Sequence, residues 1–127
     1  MDFNDLYKIA LSVTNPRTLS DKAEAGGVGA AILTKSGKVY TGVCIDTASS
    51  MGFCAEHAAA SAMITAGENQ IAKIIAVRKT GEILPPCGRC REFLSQICDD
   101  NMESEVMVKE NTVVKLRDLL PYYWRTI

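Results

Sequence analysis

The 127-residue sequence has no apolar run long enough to span a bilayer, no excess of basic residues, no internal repeat and no low-complexity tract. Each absence excludes a class of function. With a formal net charge of -1 and no basic stripe, nothing draws the chain to a phosphate backbone, so neither nucleic acid nor membrane is expected as a partner. The opening MDFNDLYKIALSV puts two aspartates ahead of a short apolar stretch and lacks the basic start and small-residue cleavage site of a secretory leader. A cytoplasmic location is therefore expected, where thiols stay reduced. Five cysteines, an odd number, then read as metal ligands, catalytic groups or buried small apolar residues rather than disulfides.

A hydrophobic fraction of 47% beside 23% charged residues suits a globular chain, and the length suits one domain over residues 1–127. Phe3, Leu6, Tyr7, Ala10 and Leu11 recur at helical spacing. The polar segment Thr14 to Gly27 reads as a loop. VGAAILTKSGKVYTGVCI reads as a hairpin turning at Ser36-Gly37. An alanine-rich helix from Cys54 to about Ala66 stops at Gly67, and IAKIIAVRK follows as a buried strand. Pro85-Pro86 breaks the chain before a helix from Cys87 to Cys98, a strand in SEVMVKE and a short helix in KLRDLL ended by Pro121. The order predicts an α/β chain in which helices pack on a mixed sheet.

Two short stretches stand out, GFCAEHAAAS at Gly52 to Ser61 and ILPPCGRCREF at Ile83 to Phe93. Cys87 and Cys90 form a C-x-x-C at a predicted helix start, where the partial positive charge of the helix end favours a thiolate. The pair alone also opens the helix of thioredoxin-like redox proteins. Cys54, at a second predicted helix start, supplies a third thiolate, and three protein ligands with one open position describe a catalytic zinc. A closed Cys3His site that uses His57, three residues on from Cys54, is sterically reasonable but leaves Glu56 without a role. On a regular helix Glu56 stands roughly 200° around the axis from Cys54, so both reach one ion only if it lies in front of the helix end, near the axis. Glu56 is then free for acid-base work beside the metal water.

CAE at Cys54 to Glu56 and, after 29 residues, PCGRC at Pro86 to Cys90 resemble the signature of the zinc-dependent cytidine deaminases. The likeness extends to VGAAIL at Val28 to Leu33, CRE at Cys90 to Glu92 and DLLP at Asp118 to Pro121, and VGAAILTKSGKVYTGV is also similar to the blasticidin S deaminases. The resemblance implies a three-layer α/β/α fold with a mixed five-stranded sheet, and a homotetramer with active sites at subunit contacts. It implies Zn2+ on Cys54, Cys87 and Cys90, with Glu56 moving a proton from the metal water to ring N3 and aiding departure of ammonia from C4. The substrate so implied is a small cytosine nucleoside or analogue, with a blasticidin S-type antibiotic as an alternative. A non-enzymatic structural zinc module is the alternative of another class.

The chain departs from that family where its members carry an Asn-x-Glu that grips the ribose hydroxyls. The nearest positions here are Cys44 and Asp46, a thiol for a carboxamide and a carboxylate one methylene shorter, which implies weaker discrimination for ribose. His57 replaces an arginine, leaving Arg89 and Arg91 as donors that can temper three thiolates. Trp124 falls three residues after Pro121, where the family presents an aromatic that can stack on the base. Cys44 and Cys98 also suit core positions.

Overall fold

The computed structural model describes residues 1–125. In chain order the elements are α1 (Phe3–Ser12), β1 (Arg17–Ser20), β2 (Ala23–Thr34), β3 (Val39–Thr47), α2 (Ala55–Thr65), β4 (Ile71–Arg78), β5 (Ile83–Leu84), α3 (Gly88–Ile97), β6 (Glu105–Lys109) and β7 (Thr112–Lys115). Short 3-10 turns follow β3, α3 and β7.

Capping and patterning explain the helix limits. Asp2 opens α1 by accepting the Asp5 N–H at 2.9 Å while Asp5 reaches back to the Asp2 N–H. At the other end of α2 the Gly67 and Glu68 N–H groups return to the Ile64 and Met63 carbonyls, so the predicted stop is where the helix ends.

β2 is the spine of the sheet. It pairs antiparallel with β3 along most of its length, with Leu33 opposite Val39 across the predicted turn, and antiparallel with β4 on its other edge. β4 runs parallel to β6, which pairs antiparallel with β7, so the sheet is mixed. Its side chains alternate between two faces, as the pleat requires. Ala30 and Ile32 of β2, with Ile74 and Ala76 of β4, meet Ala55, Ala59, Ala60 and Met63 of α2 and Leu94 of α3. Ala31, Ile75 and Val77 face the opposite way, onto Leu6 and Ala10 of α1. The result is the expected three layers, α1 on one face and α2 with α3 on the other. Each fully buried leucine or isoleucine contributes roughly 1.5–3 kcal/mol to holding them together.

Three expectations need correction. The described sheet has seven strands rather than five, because β1 pairs with the start of β2 and β5 with the end of β4. Part of the predicted loop Thr14 to Gly27 is β1 and the start of β2, and all four β1 residues are exposed, so no apolar alternation betrays the strand. KLRDLL forms a 3-10 turn at Leu116–Leu119 instead of a helix, since Lys115 is still the last residue of β7.

α2 lies unusually close to β3. A Cβ on Gly42 would stand 2.4 Å from the Ala59 nitrogen, inside any permitted contact. Gly42→Ala should therefore push α2 away from the sheet and lower the unfolding free energy by roughly 1–3 kcal/mol, read from urea unfolding curves. A variant as stable as the parent would show that this approach is not tight.

Candidate metal centre and active site

Two helix N-termini converge on one face of the sheet. Cys54 immediately precedes α2 and Cys87 immediately precedes α3, both with extended backbone. Residues at such positions commonly turn their side chains onto the free N–H groups of their own helix. Neither thiol is held by a capping bond of ordinary geometry, although the Arg89 and Cys90 N–H groups bear on Cys87, and the two sulfurs face each other at 3.3 Å. Cys90, in the first turn of α3, is fully buried and completes the trio, whose sulfurs all lie within 4.8 Å of one another. Sulfurs bound at about 2.3 Å around a tetrahedral zinc stand roughly 3.8 Å apart, so this set fits one such ion. Among the described residues no other group of histidine, cysteine and acidic side chains gathers in this way.

The loop before α2 is pinned to the sheet. Phe53 and Ile45 exchange backbone hydrogen bonds of 2.9 and 3.0 Å, fixing the residue next to Cys54 against β3. Gly52 makes that closeness possible, because a Cβ there would lie 1.9 Å from the Ile45 carbonyl oxygen. On the α3 side, Arg91 Nε donates to the Pro86 carbonyl at 2.7 Å and its Nη1 reaches the Leu119 carbonyl at 3.4 Å. That arginine is committed to the backbone. Arg89 instead lines the cavity and donates to the Gly52 carbonyl at 3.3 Å, across the gap between the two cysteine-bearing loops.

The thiols divide electrostatically. Burial pushes Cys54 up to about 11, with its bond to Cys87 adding to the effect, and burial together with the nearby Glu56 carboxylate raises Cys90 further. Burial also pushes Cys87 upward, but the Cys90 and Arg89 backbone N–H groups and the other two thiols outweigh it and leave Cys87 below the ordinary thiol value. Two of three thiols thus resist ionising unless a cation joins them, which is the linkage expected of a metal site.

Glu56, in the first turn of α2, is 5% exposed, and burial raises its pKa against a smaller opposing effect of its own backbone N–H. It lines a cavity of about 530 Å3 together with Cys54 and Cys87. Cys44 and Asp46 of β3 line the same cavity, the Cys44 sulfur accepting the Val28 N–H at 3.3 Å. Trp124 stands outside it, 66% exposed, its indole N–H donating to Glu92 of α3 at 2.9 Å. His57 is stacked on Phe93 at 4.3 Å and tilted against Phe53 at 5.2 Å, its Nδ1 buried without a partner. Burial, and secondarily Arg89, lower its pKa.

The cavity also takes in Thr47 and Ser50, which sequence reasoning did not single out. Ser49 and Ser50 adopt left-handed backbone (φ 62° and 54°), a conformation uncommon outside glycine and asparagine, and no sequence pattern in TASS announces it.

Because Glu56 binds its proton more tightly folded than unfolded, its ionisation costs the metal-free protein stability as pH rises from the ordinary glutamate range toward its raised folded value. Glu56→Gln removes that cost. In metal-free protein the variant should gain on the parent in urea midpoint as pH is taken from about 4 to 7. A difference that stays constant with pH would refute the burial account.

Comparison with known proteins agrees with this geometry. The family model of the cytidine and deoxycytidylate deaminase zinc-binding region matches residues 4–104. The cytidine deaminase of Halalkalibacterium halodurans is 38% identical over 72 residues, which span 56% of this chain and 54% of that relative. The blasticidin-S deaminase of Bacillus cereus is 33% identical over 82 residues, 58% of this chain and 59% of that relative. The crystal structure of cytidine deaminase from Mycobacterium tuberculosis superposes with a TM-score of 0.83 at 29% identity and covers 99% of each chain. The chain thus belongs to the cytidine and deoxycytidylate deaminase family, whose members are zinc-dependent hydrolytic deaminases.

Proposed function

We propose that this chain converts the cytosine ring of a small nucleoside (cytidine, deoxycytidine or a cytosine nucleoside analogue) to the uracil form with release of ammonia. The observation that carries the reading is the meeting of three thiols at two helix ends, two of which share a cavity with one buried carboxylate. Cys54, Cys87 and Cys90 are the proposed zinc ligands and Glu56 the catalytic residue.

When bound, the zinc brings the ionisation of a coordinated water near neutral pH. Glu56 moves the protons. Burial raises the pKa of this carboxyl above the ordinary glutamate range, which makes it a better proton acceptor than an exposed glutamate. It takes one from the attacking water, places it on ring N3 and supports protonation of the amino group leaving C4. Oxygen from water replaces nitrogen on C4, and the nitrogen departs as ammonia. A pocket of about 530 Å3 suits a nucleoside.

Cys44 and Asp46, side by side on the cavity wall, are the proposed readers of the ring's appendage. The likeness to the Bacillus cereus protein and the thiol at position 44 favour a second reading, a blasticidin S-type antibiotic deaminase. We further propose a cytoplasmic single-domain protein that assembles as a homotetramer. Thiols that must stay free support the compartment, and among the described residues no helix is long and apolar enough to cross a membrane. The exposed Met51, Tyr122 and Trp124 support the assembly, since such apolar surface suits a second copy. Trp124, steadied by Glu92, would then stack on the base in a neighbour's cavity.

Glu56→Ala should keep the metal and the fold while deamination, followed by ultraviolet absorbance, falls by about 10²–10⁴ or more. Unchanged turnover would leave only a structural zinc module. Across a panel of cytosine compounds, changes in the sugar should cost less than changes at C4. Efficient use of cytidine and deoxycytidine with refusal of every modified analogue would overturn the roles given to Cys44 and Asp46.

A further inference from the structure

Two carboxylates stand side by side where the cavity wall meets the end of the sheet. Cys44 and Asp46 are two residues apart on β3 and share one of its faces, the face that borders the cavity. The register of β2 against β3 shifts between Ala25 and Gly29, and beyond the shift Glu24 lies directly opposite Asp46. Directly opposed residues of an antiparallel pair project from the same face, with Cβ atoms about 4.5–5.5 Å apart. Glu24 therefore joins Asp46 on the cavity side. Like charges so placed destabilise the pair. Both residues are exposed, and among the described residues the ion pairs are those of Glu103 with Lys115 and Arg117, which leave these two acids unmatched. Arg89, the only lysine or arginine among the described residues lining the cavity, donates to the Gly52 carbonyl instead.

A separate observation shows that the cavity beside this pair is built for a ligand. Glu56 lines it at 5% exposure, and its carboxylate is met only by its own backbone N–H. A polar group so buried needs a partner, and the cavity is where one fits. We infer that Glu24 and Asp46 form a cation subsite, and that the preferred substrate is a cytosine nucleoside carrying an ammonium or guanidinium group on its sugar side. The inference rests on the deaminase reading above and names the substrate class within it. A nucleoside whose ring lies against Glu56 has the rest of the cavity, with Asp46 on its wall, for the sugar. A cation there relieves the repulsion between the two carboxylates and gains a charge-assisted hydrogen bond from them. A neutral hydroxyl leaves the repulsion in place.

The test compares cytidine with 5′-amino-5′-deoxycytidine on the zinc-loaded protein at about pH 7, where the amine is an ammonium. The parent should show the higher kcat/KM for the amino compound. That preference should fall roughly 2- to 5-fold in Glu24→Gln, the size of an exposed charge pair, and further when Asp46→Asn is added. Glu24→Asp keeps the charge and should keep most of the preference. Salt raised from about 0.01 to 1 M should shrink it in the parent. Binding alone gives a second readout: 5′-amino-5′-deoxyuridine should inhibit the parent more tightly than uridine does, and Glu24→Gln should narrow the gap. Without substrate, Glu24→Gln should melt no lower than the parent, because it removes a repulsion. Equal use of both compounds by the parent, a preference that Glu24→Gln leaves intact, or a lower melting temperature for that variant overturns the inference. A parent that deaminates neither compound overturns the proposed function instead, so the two failures are distinguishable.

Discussion

Three sulfur atoms held together in front of two helix ends are the constraint on which the rest of the structure depends. Thiols placed this close cannot all ionise on their own, and burial makes ionisation harder for Cys54 and Cys90. The positive ends of α2 and α3 lessen the penalty, most visibly at Cys87, whose neighbouring N–H groups hold its pKa down. A dication removes the remainder. The site is thus built as an unfinished electrostatic cage, and its affinity for a metal follows from the cost of leaving it unfinished.

Holding that cage open requires rigidity behind it, which the sheet provides. α2 and α3 pack on the same face through one apolar cluster, so their N-termini cannot drift apart without uncovering Ile32, Ile74 and Ala76. At the C-terminal end of α3, buried Asn101 accepts the Ile71 N–H and donates to the carbonyls of Asn69 and Leu94, locking the helix to the first residue of β4. Leaving a buried backbone group unpaired costs about 1–3 kcal/mol, so this one side chain stiffens the frame far from the sulfurs. At the near end the Ile45–Phe53 bridge and the Arg91 bond to Pro86 fix the residues just ahead of Cys54 and Cys87.

Much of this was legible in the sequence, and the illegible parts have physical reasons. Helical spacing marked α1 and α3, alanine-rich composition marked α2, and β-prone or continuous apolar runs marked the β2–β3 hairpin, β4 and β6. β1 buries nothing and β5 has two residues, so neither leaves a pattern. The cysteines and Glu56 were readable because their chemistry is rare and their spacing narrow, and the structure brings all four together. Arg89 and Arg91 were interchangeable on paper, since a two-residue step at a helix start leaves side-chain direction open. The structure separates them: Arg91 binds the Pro86 and Leu119 carbonyls and Arg89 the Gly52 carbonyl. Trp124 lies outside the cavity, its indole N–H held by Glu92 of α3, a placement that sequence spacing alone does not reveal.

The cavity wall is divided between two kinds of support. The thiols and Glu56 come from helix ends anchored in the core. Cys44 and Asp46 come from β3, which has β2 on one side and, among the described residues, no second full strand on the other. Beyond them the wall is the turn containing Ser50, where two consecutive serines hold left-handed backbone. Such conformations each cost of order 1–3 kcal/mol and persist only where neighbours over-determine them. Substitutions on β3 or in this turn can therefore reshape the cavity wall without moving the sulfurs. Changes to the helix ends have no such freedom, since the trio of sulfurs is kept only if each stays in place relative to the other two.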